Sequence, residues 1–290
     1  MVRIVESLAE IAAPYDALLC DLWGCVHDGE VPLPGAVDAL RAYRAGGGKV
    51  ILVTNAPRQR RLIADHLGEM GLPRDAWDDI ASSGDAARAA MYQGAVGTKV
   101  WFMGEPRDEA FFDPLNLIAD PAPITRVPLE EAEGIVCIGP FDPLADPADL
   151  RPQLLYAKQK GLKLLCANPD LVVDRGAVRE WCAGEVARIY TEMGGESLYF
   201  GKPHPAIYDL ARARLSALGG SIDNSRILAI GDGIHTDVQG ALGEDIDSLF
   251  ITGGLAVQAT RTDRQPDPEA LNAFIAKEMV TPTFAMGFLR

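Results

Sequence analysis

Short apolar runs alternate along this chain with longer segments whose apolar residues recur at helical spacing. Ala17–Cys20 is apolar throughout and reads as a strand buried on both faces. Residues 34–46 open on a proline and carry Ala36, Leu40 and Tyr43 on one face, which predicts a helix. Lys49–Thr54 repeats the buried-strand pattern and runs into Asn55-Ala56-Pro57. Residues 58–71 then predict a helix through Leu62, Ile63, His66 and Leu67, stopped by Gly71. A short extended piece over 80–83 precedes a helical stretch over 85–93. Lys99–Met103, 134–138 and 163–167 are three more strand candidates, with helices over 150–160 and 179–193. Runs 227–230 and 248–252 end in Gly231-Asp232-Gly233 and Gly253-Gly254. This alternation predicts an α/β fold: a doubly wound parallel sheet with helices on both faces. Residues 106–128, rich in proline and acids, predict irregular structure. No flexible linker separates two halves, so a second domain has to be inserted into the first.

Bulk properties narrow the field. The 290 residues suffice for one large domain or two modest ones, and 48% hydrophobic content describes an ordered globular chain. A net charge of −14 argues against a nucleic-acid partner, since phosphate backbones demand clustered Lys and Arg. The same charge means that an anionic substrate needs local help from a cation or from helix N-termini. Cys20, Cys25, Cys137, Cys166 and Cys182 are odd in number and lack metal-type CxxC spacing, so buried reduced thiols in a cytoplasmic protein are expected. The first residues hold acids and no long apolar core, which is not a secretory signal. No apolar stretch approaches the ~20 residues of a membrane span, so no membrane partner is expected.

Candidate chemistry sits where buried strands end. Asp21 closes Ala17–Cys20 just before Gly24, a costly place for a carboxylate unless it serves as a nucleophile or a metal ligand. Thr54 and Asn55 end the second strand and offer neutral donors to phosphate oxygens. Lys202, in Gly201-Lys202-Pro203-His204, supplies a positive charge before a helix starting near Ala206. Asp232 and Asp237, five residues apart, let one acid face a hard cation such as Mg²⁺ while the other orients waters or Lys202. Each part has a plainer reading: a turn aspartate, a helix N-cap, a solvated lysine. His27, His66 and His204 suit capping or core positions, and His235 suits the border of a site.

Together and in this order, Asp21-Leu22-Trp23-Gly24, Thr54-Asn55, Gly201-Lys202-Pro203 and Gly231-Asp232 through Asp237 resemble the four motifs of the haloacid dehalogenase (HAD) superfamily. The long interval between Thr54 and Lys202 is similar to class IIA, the NagD-like and p-nitrophenyl phosphatase-like proteins, where an α/β cap domain is inserted. Asn168-Pro169-Asp170 after a cap strand resembles that class as well. The resemblance implies a HAD-like core over residues 1–83 and 198–290 and a cap over 84–197. It implies a Mg²⁺-dependent phosphatase acting on a small phosphorylated metabolite. Asp21 would form an aspartyl-phosphate, Thr54 would bind phosphate oxygens, and Lys202 would stabilise charge. Asp21, Asp232 and the Trp23 backbone carbonyl would hold Mg²⁺, with Asp237 joining the metal site as a partner beside them. Asn55, Asn168 and Asp170 are the substrate-binding candidates.

Trp23 departs from the pattern, because the usual phosphatases of the superfamily carry an acid there. Indole has no proton to exchange near neutral pH. General acid–base catalysis, worth ~10²–10⁴-fold, is therefore expected to be weakened while metal binding survives. A slow phosphatase, one restricted to good leaving groups, or one that recruits His27 or a cap residue all follow. A phospho-ligand binding or regulatory protein with little turnover is a second reading, and a dehalogenase-like hydrolase a third. Arg175 and Arg179 are expected at the solvated surface. Pro57 and Arg58 are close enough in sequence to the second strand end to touch substrate. Trp181 and Tyr190 can pack a core or an interface, and self-association is left open.

Overall fold

The computed structural model describes residues 2–113, 120–175 and 178–290, the side chains of Asp174 and Arg175 excepted. In chain order its strands are β1 (Arg3–Ile4), β2 (Ala17–Cys20), β3 (Lys49–Thr54), β4 (Asp79–Ser82), β5 (Lys99–Met103), β6 (Thr125–Arg126) and β7 (Gly134–Cys137). They continue with β8 (Lys163–Cys166), β9 (Val172–Arg175), β10 (Val178–Trp181), β11 (Glu196–Tyr199), β12 (Ile227–Gly231), β13 (Asp247–Ile251) and β14 (Phe284–Met286). The α-helices are α1 (Pro34–Ala45), α2 (Arg60–Glu69), α3 (Ser83–Tyr92), α4 (Arg151–Gln159), α5 (Ala183–Glu192), α6 (Pro205–Ala217), α7 (Gln239–Gly243) and α8 (Pro268–Glu278). Contacts divide the chain into two compact units: Met1–Thr54, Arg61–Ala81 and Lys202–Arg290 form one, and Asn55–Arg60 with Ser82–Gly201 form the other.

The first unit is built on a sheet of order β1-β14-β13-β12-β2-β3-β4. Parallel registers bring Cys20 beside both Ile230 and Leu52, so β2 lies between β12 and β3. Successive side chains of a strand point to opposite faces. Ala17, Leu19, Ile51, Val53, Ile227 and Ala229 therefore share one face and pack against Ile207, Ala211 and Leu215 of α6. Phe250 and Ala285 meet Leu271 and Ile275 of α8 in another part of the core. A sheet covered in this way needs almost wholly apolar strands, and β2 and β12 are buried at every position.

The insert carries a second parallel sheet of order β11-β8-β7-β5-β6. Leu154 and Ala157 of α4 and Val186, Ile189 and Tyr190 of α5 cover one side. Ala87 and Met91 of α3, with Phe111, cover the other. Tyr190 is a core residue whose hydroxyl donates to the Leu162 carbonyl. The expected boundaries at 83/84 and 197/198 compare with 81/82 and 201/202 between the contact units, and segment Asn55–Arg60 goes with the insert.

One expected helix is shorter than its sequence pattern. Residues 179–181 are not helical but complete β10, which pairs antiparallel with β9, Trp181 facing Val172. The helix begins only at Ala183, because Val178–Trp181 has the alternation that a hairpin with Val172 and Val173 can use. Of the region expected to be irregular, Pro106–Phe112 forms a 3₁₀ turn, and residues 114–119 lie outside those described. All five cysteines are buried and outside any disulfide. Among the described residues no helix is long and apolar enough to cross a membrane.

Candidate active site

Asp21 leaves β2 with its backbone N–H bonded to the Ile230 carbonyl of β12 at 2.8 Å, which seats it at the edge where neighbouring parallel strands end. It is buried, with 8% of its surface exposed. Lys202, also buried, directs its ammonium to Asp21 Oδ1 at 2.5 Å, Asp237 Oδ1 at 2.8 Å and the Val53 carbonyl at 3.1 Å. An ammonium carries three donors, so this tripod pins Nζ between β2, β3 and the loop after β12. Burial alone would lower the Lys202 pKa, but the Asp21 and Asp237 charges overcome that and hold it well above the usual lysine range.

Asp237 turns its second oxygen to its own loop, accepting from Gly233 N–H and the Thr236 hydroxyl, both at 3.1 Å. Asp232 stands five residues earlier, with Oδ2 accepting from the Leu255 N–H at 2.9 Å. Gly24 approaches it so closely that a Cβ there would fall 2.3 Å from Asp232 Oδ2, and its φ of +73° is one that glycine adopts freely. Three buried carboxylates thus surround one ammonium. Burial, together with the Asp237 and Asp232 charges, pushes the Asp21 carboxyl well above the usual range against the pull of Lys202. Burial and Asp237 push Asp232 up to about 7. Such uncompensated negative charge suits a hard divalent cation. Asp21, Cys25 and Asp232 each offer one ligand atom, and these lie within 4.8 Å of one another. The Trp23 backbone carbonyl accepts no hydrogen bond among the described residues, which leaves it available as a further oxygen donor. The donor set therefore fits such an ion.

The Trp23 side chain faces elsewhere. Its indole meets His27 edge-on, ring centroids 5.4 Å apart, and covers Gly29, where a Cβ would fall 2.4 Å from the ring. Gly29 has φ +101°, so both space and conformation require glycine. The indole remains 42% exposed. His27 is buried and its Nδ1 accepts the Gly29 N–H at 3.0 Å, which leaves the ring proton on Nε2 in the neutral form. Burial, followed by the nearby His66, pushes its pKa down to about 4. A histidine so tuned carries no spare proton near neutral pH and does not serve as a replacement acid.

Of the expected site residues, Asp21, Lys202, Asp232 and Asp237 converge, and Thr54 ends the adjacent strand in a buried position. Asn55, Asn168 and Asp170 form a separate group within the insert unit. There Asn55 Nδ2 donates to Asp170 Oδ1 at 2.8 Å, and Asn168 Oδ1 accepts the Asp170 N–H at 3.1 Å. Arg179 and Arg58 are exposed, and the Arg175 side chain lies outside the described residues. His235 is tied to Glu278 and Gln239 at the surface. Sequence reasoning missed Cys25 as a neighbour of the two acids, and it missed the Val53 carbonyl and the Leu255 amide. Only the Gly253-Gly254 turn hinted at the last of these.

Comparison with known proteins identifies the class. The family described as haloacid dehalogenase-like hydrolase matches residues 18–117, and a second, HAD-hydrolase-like family matches residues 199–276. A solved hydrolase of the haloacid dehalogenase-like family from Brucella suis 1330 is 36% identical, with TM-score 0.84 over 99% of this chain and 100% of its own. The chain belongs to the haloacid dehalogenase-like hydrolase family, and its relatives include the NagD and p-nitrophenyl phosphatase proteins of class IIA. The D-glycerol 3-phosphate phosphatase of Mycobacterium tuberculosis is 29% identical over 86% of this chain, which spans 66% of that protein's length. The glycerol-3-phosphate phosphatase of Homo sapiens is 26% identical over 96% of this chain and 90% of its own.

Proposed function

We propose that the protein is a phosphatase that hydrolyses the phosphate monoester of a small metabolite through an aspartyl-phosphate on Asp21. The observation that carries this reading is the buried Lys202 ammonium held at 2.5 Å from Asp21 and 2.8 Å from Asp237, beside a third carboxylate, Asp232. One carboxylate oxygen of Asp21 attacks phosphorus, the bond from phosphorus to the ester oxygen breaks, and the alcohol leaves. Water then cleaves the acyl phosphate, releasing phosphate and restoring Asp21. Lys202 stays protonated throughout and offsets negative charge on the transferred group, while Asp237 keeps it in place. Thr54 donates its hydroxyl to a phosphate oxygen. A Mg²⁺-type cation held by Asp21, Asp232 and the Trp23 carbonyl would supply the remaining positive charge against the phosphate dianion.

The leaving oxygen receives no proton from position 23, because the Trp23 indole lies over Gly29, and His27 is neutral with its free lone pair committed to Gly29. Turnover therefore favours esters whose alcohol leaves without help. The second unit acts as the cap that selects substrate, with the Asn55–Asp170 pair and Asn168 as its polar contacts. Two relatives are named as glycerol 3-phosphate phosphatases, which makes glycerol 3-phosphate the natural first metabolite to try.

The test is a panel of p-nitrophenyl phosphate, glycerol 3-phosphate and sugar phosphates, with and without Mg²⁺, on wild type and Asp21→Asn. Mg²⁺-dependent phosphate release that Asp21→Asn abolishes supports the proposal. Saturable thermal stabilisation by these esters without release would instead favour a phospho-ligand binding protein, the reading suggested by the missing acid at Trp23.

A further inference from the structure

The loop that follows β13 holds an apolar side chain out in solvent on a fixed backbone. Leu255 is 79% exposed, yet its own N–H donates to the buried Asp232 Oδ2 at 2.9 Å. Gly254, just before it, comes so close that a Cβ there would collide with the same oxygen, as one on Gly24 would. Trp23-Gly24 and Gly254-Leu255 therefore press on one carboxylate from two separate loops, and each presents a large apolar side chain to water. Both loops are braced. Thr252 and Gly253 donate their N–H groups to the Met286 and Gly287 carbonyls at 2.9 and 2.7 Å, and the Thr262 hydroxyl donates to Thr252 at 2.7 Å. The indole rests over Gly29 and edge-on to His27. A single exposed leucine is ordinary. Two apolar side chains braced beside one buried charged cluster have the make-up of a ligand site, where apolar walls surround a few fixed polar groups.

We propose that Trp23 and Leu255 form an apolar subsite for the alcohol part of the ester, so that an aryl or alkyl phosphate is preferred over a polyol phosphate of the same size. The subsite rests on the phosphatase reading and narrows its substrate class. With the phosphate held at Lys202, the carbon skeleton extends past Asp232 and meets these two side chains. Because both are held by their loops before any ligand arrives, little ordering opposes the contact. Full burial of a methylene is worth about fourfold in affinity, and a rim open to water on one side covers it in part, for about twofold. The indole thus replaces a proton donor with contact area.

Alkylphosphonates test this, because their carbon–phosphorus bond has no leaving oxygen, and grip on the chain is read apart from ease of departure. Calorimetry with Mg²⁺ on the full chain compares inorganic phosphate, methyl-, ethyl-, propyl- and butylphosphonate, and dihydroxypropylphosphonate. Wild-type affinity is expected to rise about twofold per methylene, with dihydroxypropylphosphonate below propylphosphonate. Leu255→Ser and Trp23→Ser keep the backbone N–H and carbonyl groups. Each should flatten the rise while weakening inorganic phosphate far less. A substitution that merely loosens the fold would lower the whole series by one factor and leave the rise intact. Wild-type affinities that do not grow with chain length, tighter binding of the polyol, or a rise that survives in both variants would overturn the subsite and leave the phosphatase reading standing. A rise in a protein that releases phosphate from no ester would uphold the subsite and sink that reading. Failure of every compound to bind, inorganic phosphate included, would overturn both. The wild-type series decides the matter even where a variant fails to fold.

Discussion

The loop that leaves β12 is closed by hydrogen bonds around a charge, whereas the loop that leaves the neighbouring β2 is closed by an aromatic ring. In the first, Asp237 divides its oxygens between Lys202 and its own Gly233 and Thr236. In the second, Trp23 lies across Gly29 and edge-on to His27, and Asp28 ties the far end by accepting from Glu30 and Val31, both at 2.9 Å. The polar loop fixes where charges sit and tolerates little change, because each buried group it loses strands another. The apolar loop fixes a shape, and shape can be exchanged for chemistry at modest cost. The two loops thus separate what a phosphate site must keep from what it can vary.

The largest break comes from removing the ammonium that the polar loop is built around. Lys202→Met leaves Asp21 and Asp237 buried without their cation, and a loss of about 3–5 kcal/mol is expected in denaturant unfolding, with turnover abolished. Unchanged unfolding would show that the tripod is not a stabilising unit.

Exchanging the indole for an acid tests the other loop. Trp23→Asp is expected to raise kcat on an alkyl phosphate such as glycerol 3-phosphate by about 10²-fold or more. The gain on p-nitrophenyl phosphate should be much smaller, since that phenolate leaves unaided. Equal gains on both esters would mean that the acid was not what position 23 lacked.

Acidification probes the same loop through His27. Its folded pKa of about 4 lies below the ordinary 6.5, so between these values the unfolded chain binds the extra proton. The stability tied to keeping His27 neutral is complete above about pH 6.5 and drains away as pH falls toward about 4, by at most roughly 3 kcal/mol. Melting temperatures across that range should fall more steeply for wild type than for His27→Gln, and parallel profiles would refute the assignment. Gly29→Ala should have the smallest effect. It places a side chain at φ +101° under the ring and is expected to cost about 1–2 kcal/mol while shifting tryptophan fluorescence.

Much of the polar loop could be read in advance. Asp21 and Asp232 follow fully apolar runs, and a carboxylate in that position is informative because burial makes it costly. The parallel α/β architecture followed from the β–α alternation for the same reason: period and burial are local properties. What escaped was set by distant partners. The Asn55–Asp170 bond joins positions 115 residues apart, and the Leu255 amide meets Asp232 only once β13 lies beside β12. Residues 179–181 carry a pattern compatible with a helix, and it is their pairing with β9 that makes them a strand. The direction of the Trp23 ring was equally hidden, since it depends on the space that Gly29 leaves open.

The position of β2 in the sheet also sets an order of assembly. β3 follows β2 closely in sequence and can pair with it early, but the other edge of β2 belongs to β12, where Ile227 faces Ala17. During synthesis that edge stays open until the whole insert and α6 have been made, and an unpaired apolar strand edge invites the wrong partner. Were the insert to fold while β12 is still missing, the loop that this last pairing must close would be effectively shorter. The cluster of Asp21, Lys202, Asp232 and Asp237, which draws on both sides of that pairing, is therefore completed late in the life of the nascent chain.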